Sequence, residues 1–359
     1  MGRAGAFARQ IQTPVLLVAV VAAITLLAPL GGLAMENRAM VMLINISIVV
    51  GLYSFAGLSG VLSFGHMSFM SIGAYAGALI TIPIVAKRAL LPDLPTFLAH
   101  AEFSYPIAFL IAGGVAALAA FIISLPVARL PALALSLAMF AVLVIAYQVE
   151  SNWDSVTRGR QALLGVPTNT TLGVALGVAA LTIFFVFAYQ ESRFGLRLRA
   201  SRENELAAAA IGVNVVRERR IALVLSGFVI GVAGATYGQY LGVFTPKDFY
   251  LELTFLTIAM LVIGGSLSIT GAVVGPILVA FLTYFLQQGE SVTGPGLQQI
   301  GLALAMLLVL IFRPLGLTMG SELRLSGLRG RSLPGLRRRR GEVSAEPDPR
   351  HPREAVDDL

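Results

Sequence analysis

Long apolar runs separated by short polar breaks fill almost the whole chain. About 18 or more apolar residues are needed to cross some 30 Å of hydrocarbon as helix. Backbone groups in lipid must be satisfied within their own segment, so the runs predict helices and not sheet. In order they cover 14–30, 39–55, 57–80, 105–127, 132–147, 172–189, 221–241, 253–286 and 297–311. The run 253–286 holds 34 residues and a break at GGSLSITG, 264–271, so it predicts two spans. The expected fold is an all-α polytopic membrane protein of about ten transmembrane helices. Segment 57–80 is so dense in Gly and Ser that it reads as a helix buried among others and broken near Gly65.

One stretch departs from the pattern. Residues 190–220, QESRFGLRLRASRENELAAAAIGVNVVRERR, carry seven arginines and four glutamates between two apolar runs. Within it Ser201 is placed to cap a helix, with Glu203 and Glu205 in the first turn where their charge suits the helix dipole. The alanine-rich ELAAAAI would follow and stop at Gly212 and Asn214. Such a loop serves either as a topology anchor touching lipid headgroups or as a close-fitting knob for a groove on another protein. The organisation is then an N-terminus at 1–13, a membrane domain at 14–312 with the loop 190–220, and a polar tail at 313–359. That tail is basic and then acidic, with four arginines at 337–340, and is expected to be disordered.

Composition supports this reading: 57% of the 359 residues are hydrophobic and 13% charged, against roughly 25% charged in an ordinary soluble domain. The formal charge of +7 comes almost wholly from arginine. Sorted by side over ten spans, 20 basic residues fall with the N-terminus, the turns at 56–62 and 128–131, the loop 190–220, the break 264–271 and the tail. Six fall on the opposite side. The positive-inside rule therefore predicts both termini and the loop in the cytoplasm, and explains the charge without nucleic acid. The first run follows Arg3 and Arg9 and lacks a small-residue cleavage site, so it reads as a retained helix. With no cysteine there is no thiolate nucleophile or cysteine metal site, and no metal site or catalytic residue is expected.

Polar side chains inside the runs are candidates for a pathway or for helix–helix hydrogen bonds. They are Asn45, Ser54, Ser63, His66, Ser68, Tyr75, Thr254 and Thr257, together with Ser71, Ser136, Ser266 and Ser268. His66 reads either as a gating residue or as an imidazole bonded to a backbone carbonyl at a helix break. No carboxylate is expected well inside a span, which argues against ion-coupled transport by the chain alone.

The segment SRENELAAAAIGVNVVRERRIALVLSGFVIGVAGATYGQYLG resembles the cytoplasmic coupling region of the branched-chain amino acid ABC transporter permease family, the LivM-like subunits. GLYSFAGLSGVLSFGHMSFMSIGAYAGALI is similar to the family's early membrane segment, through Ser63, Gly65, His66, Phe69, Gly73, Ala74 and Tyr75. FTPKDFYLELTFLTIAMLVIGGSLSITGAVVGPILVAFL and the closing IFRPLGL agree as well, so the likeness spans residues 35–317. Glu205, Ala207, Ala208 and Gly212 form a loose version of the ABC permease signature, with Leu206 in place of the usual first Ala.

The resemblance implies a bacterial inner-membrane permease that pairs with a second, related permease subunit. It implies two cytoplasmic ABC ATPase subunits, which would hold ATP and Mg, and a periplasmic or lipid-anchored solute-binding protein. This chain has no GxxxxGK[ST] loop of its own. Ser201, Glu203, Glu205, Ala207, Ala208, Gly212 and Asn214 would couple ATPase closure to the bundle. The implied cargo is a branched-chain or other apolar amino acid. The same machinery carrying urea or short amides, and a stand-alone secondary transporter, are the competing readings.

Overall fold

The structure, a computed structural model, describes residues 3–293, 296–313 and 316–323. It is helical: α1 (Arg3–Leu27), α2 (Leu33–Ser59), α3 (His66–Thr81), α4 (Ile84–Leu90), α5 (Thr96–Ala99), α6 (Tyr105–Val127), α7 (Ala132–Asn152) and α8 (Asp154–Thr157) make up the first half. The second half has α9 (Leu172–Glu191), α10 (Arg193–Glu203), α11 (Glu205–Ala210), α12 (Val215–Leu241), α13 (Leu251–Gly264), α14 (Ile269–Thr293) and α15 (Leu297–Phe312).

Among the described residues, seven helices are long and apolar enough to cross a membrane, or eight if α3 and α4, bent by 115° at their junction, form one span. The sequence expectation of ten counts every apolar run. Three of the runs form short helices: α3 and α15 have 16 residues and α13 has 14. At 1.5 Å rise each covers roughly 21–24 Å, less than the hydrocarbon thickness. The break expected near Gly65 within a helix over 57–80 is instead a linker: α2 runs through Ser59, residues 60–65 are non-helical, and α3 starts at His66. The 264–271 break also falls between two helices, α13 and α14.

Helix α2 is the axis of the bundle, buried from Met42 almost continuously to Ser59. Helix α12 packs along α3 and α6 through residues too small to hold the backbones apart. A Cβ on Gly73 would collide with the Gly231 carbonyl, one on Gly234 with the Met70 carbonyl, and one on Gly231 with Ala116. This is the small-residue packing by which membrane helices gain van der Waals contact in the absence of a hydrophobic drive. The α13–α14 crossing uses the same device, with Gly264 against the Gly271 carbonyl and Gly275 against the Met260 carbonyl.

The surfaces grouped by charge counting meet at one end of the bundle. Arg202 bonds the Gly57 carbonyl at 2.9 Å, Arg219 reaches the Leu130 carbonyl at 3.4 Å, and Gln190 accepts from Tyr53 at 2.8 Å. Segment 316–323 folds back here, with the Leu317 and Thr318 amides on the Ile263 and Gly264 carbonyls at 3.0 and 3.2 Å. The polar tail thus starts with a short ordered strap. Residues 324–359, with the arginine cluster and the expected disorder, lie outside the described residues. At the other end, Leu163 and Phe244 form a β-bridge, and buried Lys87 holds the loop after α4 by bonds to the Leu98 and Ala101 carbonyls.

Candidate functional site

Between α9 and α12 the chain makes two helices and not one. Ser192 caps α10, accepting from the Gly195 amide at 3.3 Å. Ser201, expected to start a helix, lies buried inside α10 and bonds back to the Leu198 carbonyl at 2.7 Å. The cap of the alanine-rich helix is Asn204, whose Oδ1 accepts from the Ala207 amide at 2.9 Å. Asn204 is extended, the geometry an N-cap needs. Glu203 therefore ends α10, and Glu205 alone opens α11.

Helix α11 stops at Gly212, whose φ is +85°. A Cβ there would meet none of the described residues within 4 Å, so backbone conformation and not space favours glycine. Asn214 does not stop α11 but caps α12, accepting from the Arg217 amide at 3.0 Å. Glu205 is tied to α12 by Arg219, a buried guanidinium 2.8 Å away. Glu218, also buried, faces Arg197 at 3.6 Å. The knob is thereby fixed to the long helix that touches α2, α3 and α6. Only Ala208 of α11 is buried, while Ala207, Ala209 and Ala210 face outward. Leu206 and Ile211 flank them at 84% and 79% exposure. A short rigid helix with a small, apolar outer face is suited to seating in a groove.

Inside the bundle, His66 is fully satisfied. Its Nδ1 lies 2.7 Å from Ser63 Oγ and its Nε2 3.0 Å from Ser226 Oγ, with Phe55 and Phe69 packed against the ring. Ser226 commits its proton to the Leu223 carbonyl at 3.0 Å. Nε2 must then carry the hydrogen and Nδ1 accept from Ser63. The expected backbone-carbonyl partner is replaced by two serine hydroxyls.

Most other pathway candidates bond to their own helices. Ser54 donates to Gly51, Ser68 to Gly65, Thr254 to Tyr250 and Thr257 to Leu253, all through carbonyls at 2.7–2.9 Å. Such back-bonding is what a hydroxyl in an apolar helix does by default. Asn45 is half-buried on α2. Tyr75 differs: its hydroxyl is buried with no hydrogen-bond partner among the described residues, and its ring packs on Phe244 and Phe249.

A carboxylate and a network escape sequence reasoning. Glu150 falls beyond the apolar run 132–147, yet it lies in the last turns of α7, buried, and accepts from Ser71 at 2.5 Å. The buried stripe Leu135, Met139, Leu143 points to it, since a further seven residues reach position 150 on the same face. The network runs Tyr53, Gln190, Glu322, Thr270, with the Glu322 carboxylate accepting from the Ile269 and Thr270 amides at 3.3 and 3.4 Å. Its partners come from four segments far apart in sequence, which no periodicity reveals.

The family described as branched-chain amino acid transport system / permease component matches residues 34–312. The chain is similar to the high-affinity branched-chain amino acid transport system permease protein LivM of Escherichia coli K12. The two are 23% identical over 309 residues, covering 77% of this chain and 68% of that protein. It is also similar to the nucleoside ABC transporter permease protein NupC of Lactococcus lactis, 32% identical over 127 residues, 35% of this chain and 38% of the relative. A third relative is the probable branched-chain amino acid transport permease protein LivH of Methanocaldococcus jannaschii. It is 28% identical over 177 residues, 47% of this chain and 52% of its own. No solved structure matches. With most of the membrane bundle inside the matched range, this chain belongs to the branched-chain amino acid permease-component family and is a membrane permease subunit of the ABC type.

Proposed function

We propose that the chain is the LivM-like member of a pair of permease subunits that moves branched-chain or other apolar amino acids inward. Two cytoplasmic ATPase subunits hydrolyse ATP with Mg, and a periplasmic or lipid-anchored binding protein delivers the cargo. Both termini and the loop 190–220 lie in the cytoplasm of a bacterial inner membrane. The observation that carries this reading is α11, capped by Asn204, ended by Gly212, braced by Arg219 and exposing Leu206 and Ile211. Rigid-body transmission from an ATPase needs a stiff lever more than reactive groups. The glycine-packed contacts of α12 with α3 and α6 make that lever continuous with the bundle.

The test uses the reconstituted complex. Leu206→Ser together with Ile211→Ser alters only exposed side chains, so the bundle should unfold as before while ATPase co-purification and ATP-driven leucine uptake fall at least about tenfold, the effect of losing about 1.4 kcal/mol at a docking contact. Normal coupling in that variant, or leucine uptake without ATP, rejects the proposal. A second cargo reading, a nucleoside, is favoured by the likeness to NupC. A binding panel of leucine, uridine and urea on the partner solute-binding protein separates the cargoes.

A further inference from the structure

We infer that the groove between α1, α2 and α14 binds one phospholipid, with an acyl chain in the groove and the phosphodiester on Arg38. The groove has a volume of about 300 Å³ and is lined by Ile24, Leu27, Met42, Ala280 and Phe281 among other apolar side chains. Its rim is apolar too: Leu27, Phe281 and Phe285 of the lining are 64%, 54% and 63% exposed. A groove with such surroundings opens towards hydrocarbon and not towards water.

The exception in this lining is Arg38. Its guanidinium carbon stands 4.6 Å above the centroid of the Tyr284 ring, which orients the plane of the guanidinium. Its Nη1 is buried with no hydrogen-bond partner among the described residues. An ionised donor in apolar surroundings calls for an acceptor with charge, since desolvating it unpaired is costly. A guanidinium stacked on an aromatic ring presents the planar fork that matches phosphate oxygens. Arg38 lies in the second turn of α2 and Tyr284 in the last half of α14, both at the end of the bundle away from α11. Tyrosine rings favour the level where headgroups meet acyl chains, and a long arginine side chain near a helix end reaches towards the same level. A free phosphate would use Arg38 but leave the groove empty. A carboxylate from the second permease subunit is the competing occupant.

Native mass spectrometry of the full chain, delipidated in detergent, reads the site with three probes. They are dioleoyl phosphatidylglycerol, dioleoylglycerol with the same chains and no phosphate, and glycerol phosphate with no chains. The expected result is one tightly retained phosphatidylglycerol, at least tenfold weaker in Arg38→Gln and in Ala280→Phe, and displaced by neither of the other probes. Ala280→Phe fills the groove and leaves Arg38 intact, so a folding defect in either variant does not remove the test. Equal retention in both variants, equal binding of dioleoylglycerol, or competition by glycerol phosphate alone overturns the site. So does a cross-link from position 38 to the second permease subunit in the assembled complex, which would make the groove a protein interface.

Discussion

At the scale of single residues, the bundle is set by where a side chain has no room and where a polar atom has a partner. Gly234→Val would drive a Cβ into the Met70 carbonyl, a backbone atom that cannot swing aside. Overpacking of this kind costs typically about 1–3 kcal/mol, and a drop in unfolding midpoint in detergent checks it. A Cβ on Gly177 of α9 meets none of the described residues within 4 Å, so Gly177→Ala should leave that midpoint unchanged or slightly raised. Glu150→Gln keeps an oxygen that accepts from Ser71, so its stability should stay within about 1 kcal/mol of the parent. A larger loss would mean that Glu150 has a partner beyond Ser71. Glycine-dense segments are readable as close packing. Which carbonyl each glycine faces is not, because the register between α3 and α12 depends on interdigitation across 160 residues of chain, as from His66 to Ser226.

At the scale of elements, the loop between α9 and α12 is decided by caps. Asn204→Ala removes the acceptor for the Ala207 amide and should cost about 1 kcal/mol of local helix stability. Faster amide exchange confined to α11 is the expected readout, with α12 unaffected because Asn214 caps it separately. Residue types in this loop announce a short alanine-rich helix with a glycine stop, and the structure contains both. The start is ambiguous in sequence because Ser201 and Asn204 are both competent caps. The choice falls to Asn204 once α10 extends through Ser201 on its buried Leu198 face. Span counting fails for a related reason: hydropathy registers apolarity but not where a helix ends, and α13 stops at Gly264, where Gly271 and the 316–323 strap crowd it.

At the scale of the whole molecule, two ends of opposite character are joined by a tightly packed middle. The basic end gathers the α2 terminus, the α6–α7 turn, α10, α11 and the α13–α14 break. This grouping is legible from arginine placement alone, although the number of full-length spans is not. The chain contains no cysteine, so single-cysteine variants report its orientation directly. Leu206→Cys and Val243→Cys replace exposed residues at the two ends. In sealed right-side-out vesicles, a membrane-impermeant maleimide should label position 243 and spare position 206. The reverse pattern would invert the orientation and remove α11 from reach of any cytoplasmic ATPase.

The strap 316–323 sets an order on biosynthesis. The first amides of α14 find their acceptor in Glu322, more than 50 residues downstream, and Thr270 shares the same carboxylate at 2.9 Å. Ser268 caps α14 locally through the Gly271 amide at 3.1 Å, but the Ile269 and Thr270 amides gain their acceptor only when Glu322 has been translated. The α13–α14 crossing stays unfinished until α15 has turned back and delivered that glutamate, so the last part of the bundle to be made closes a helix begun long before it.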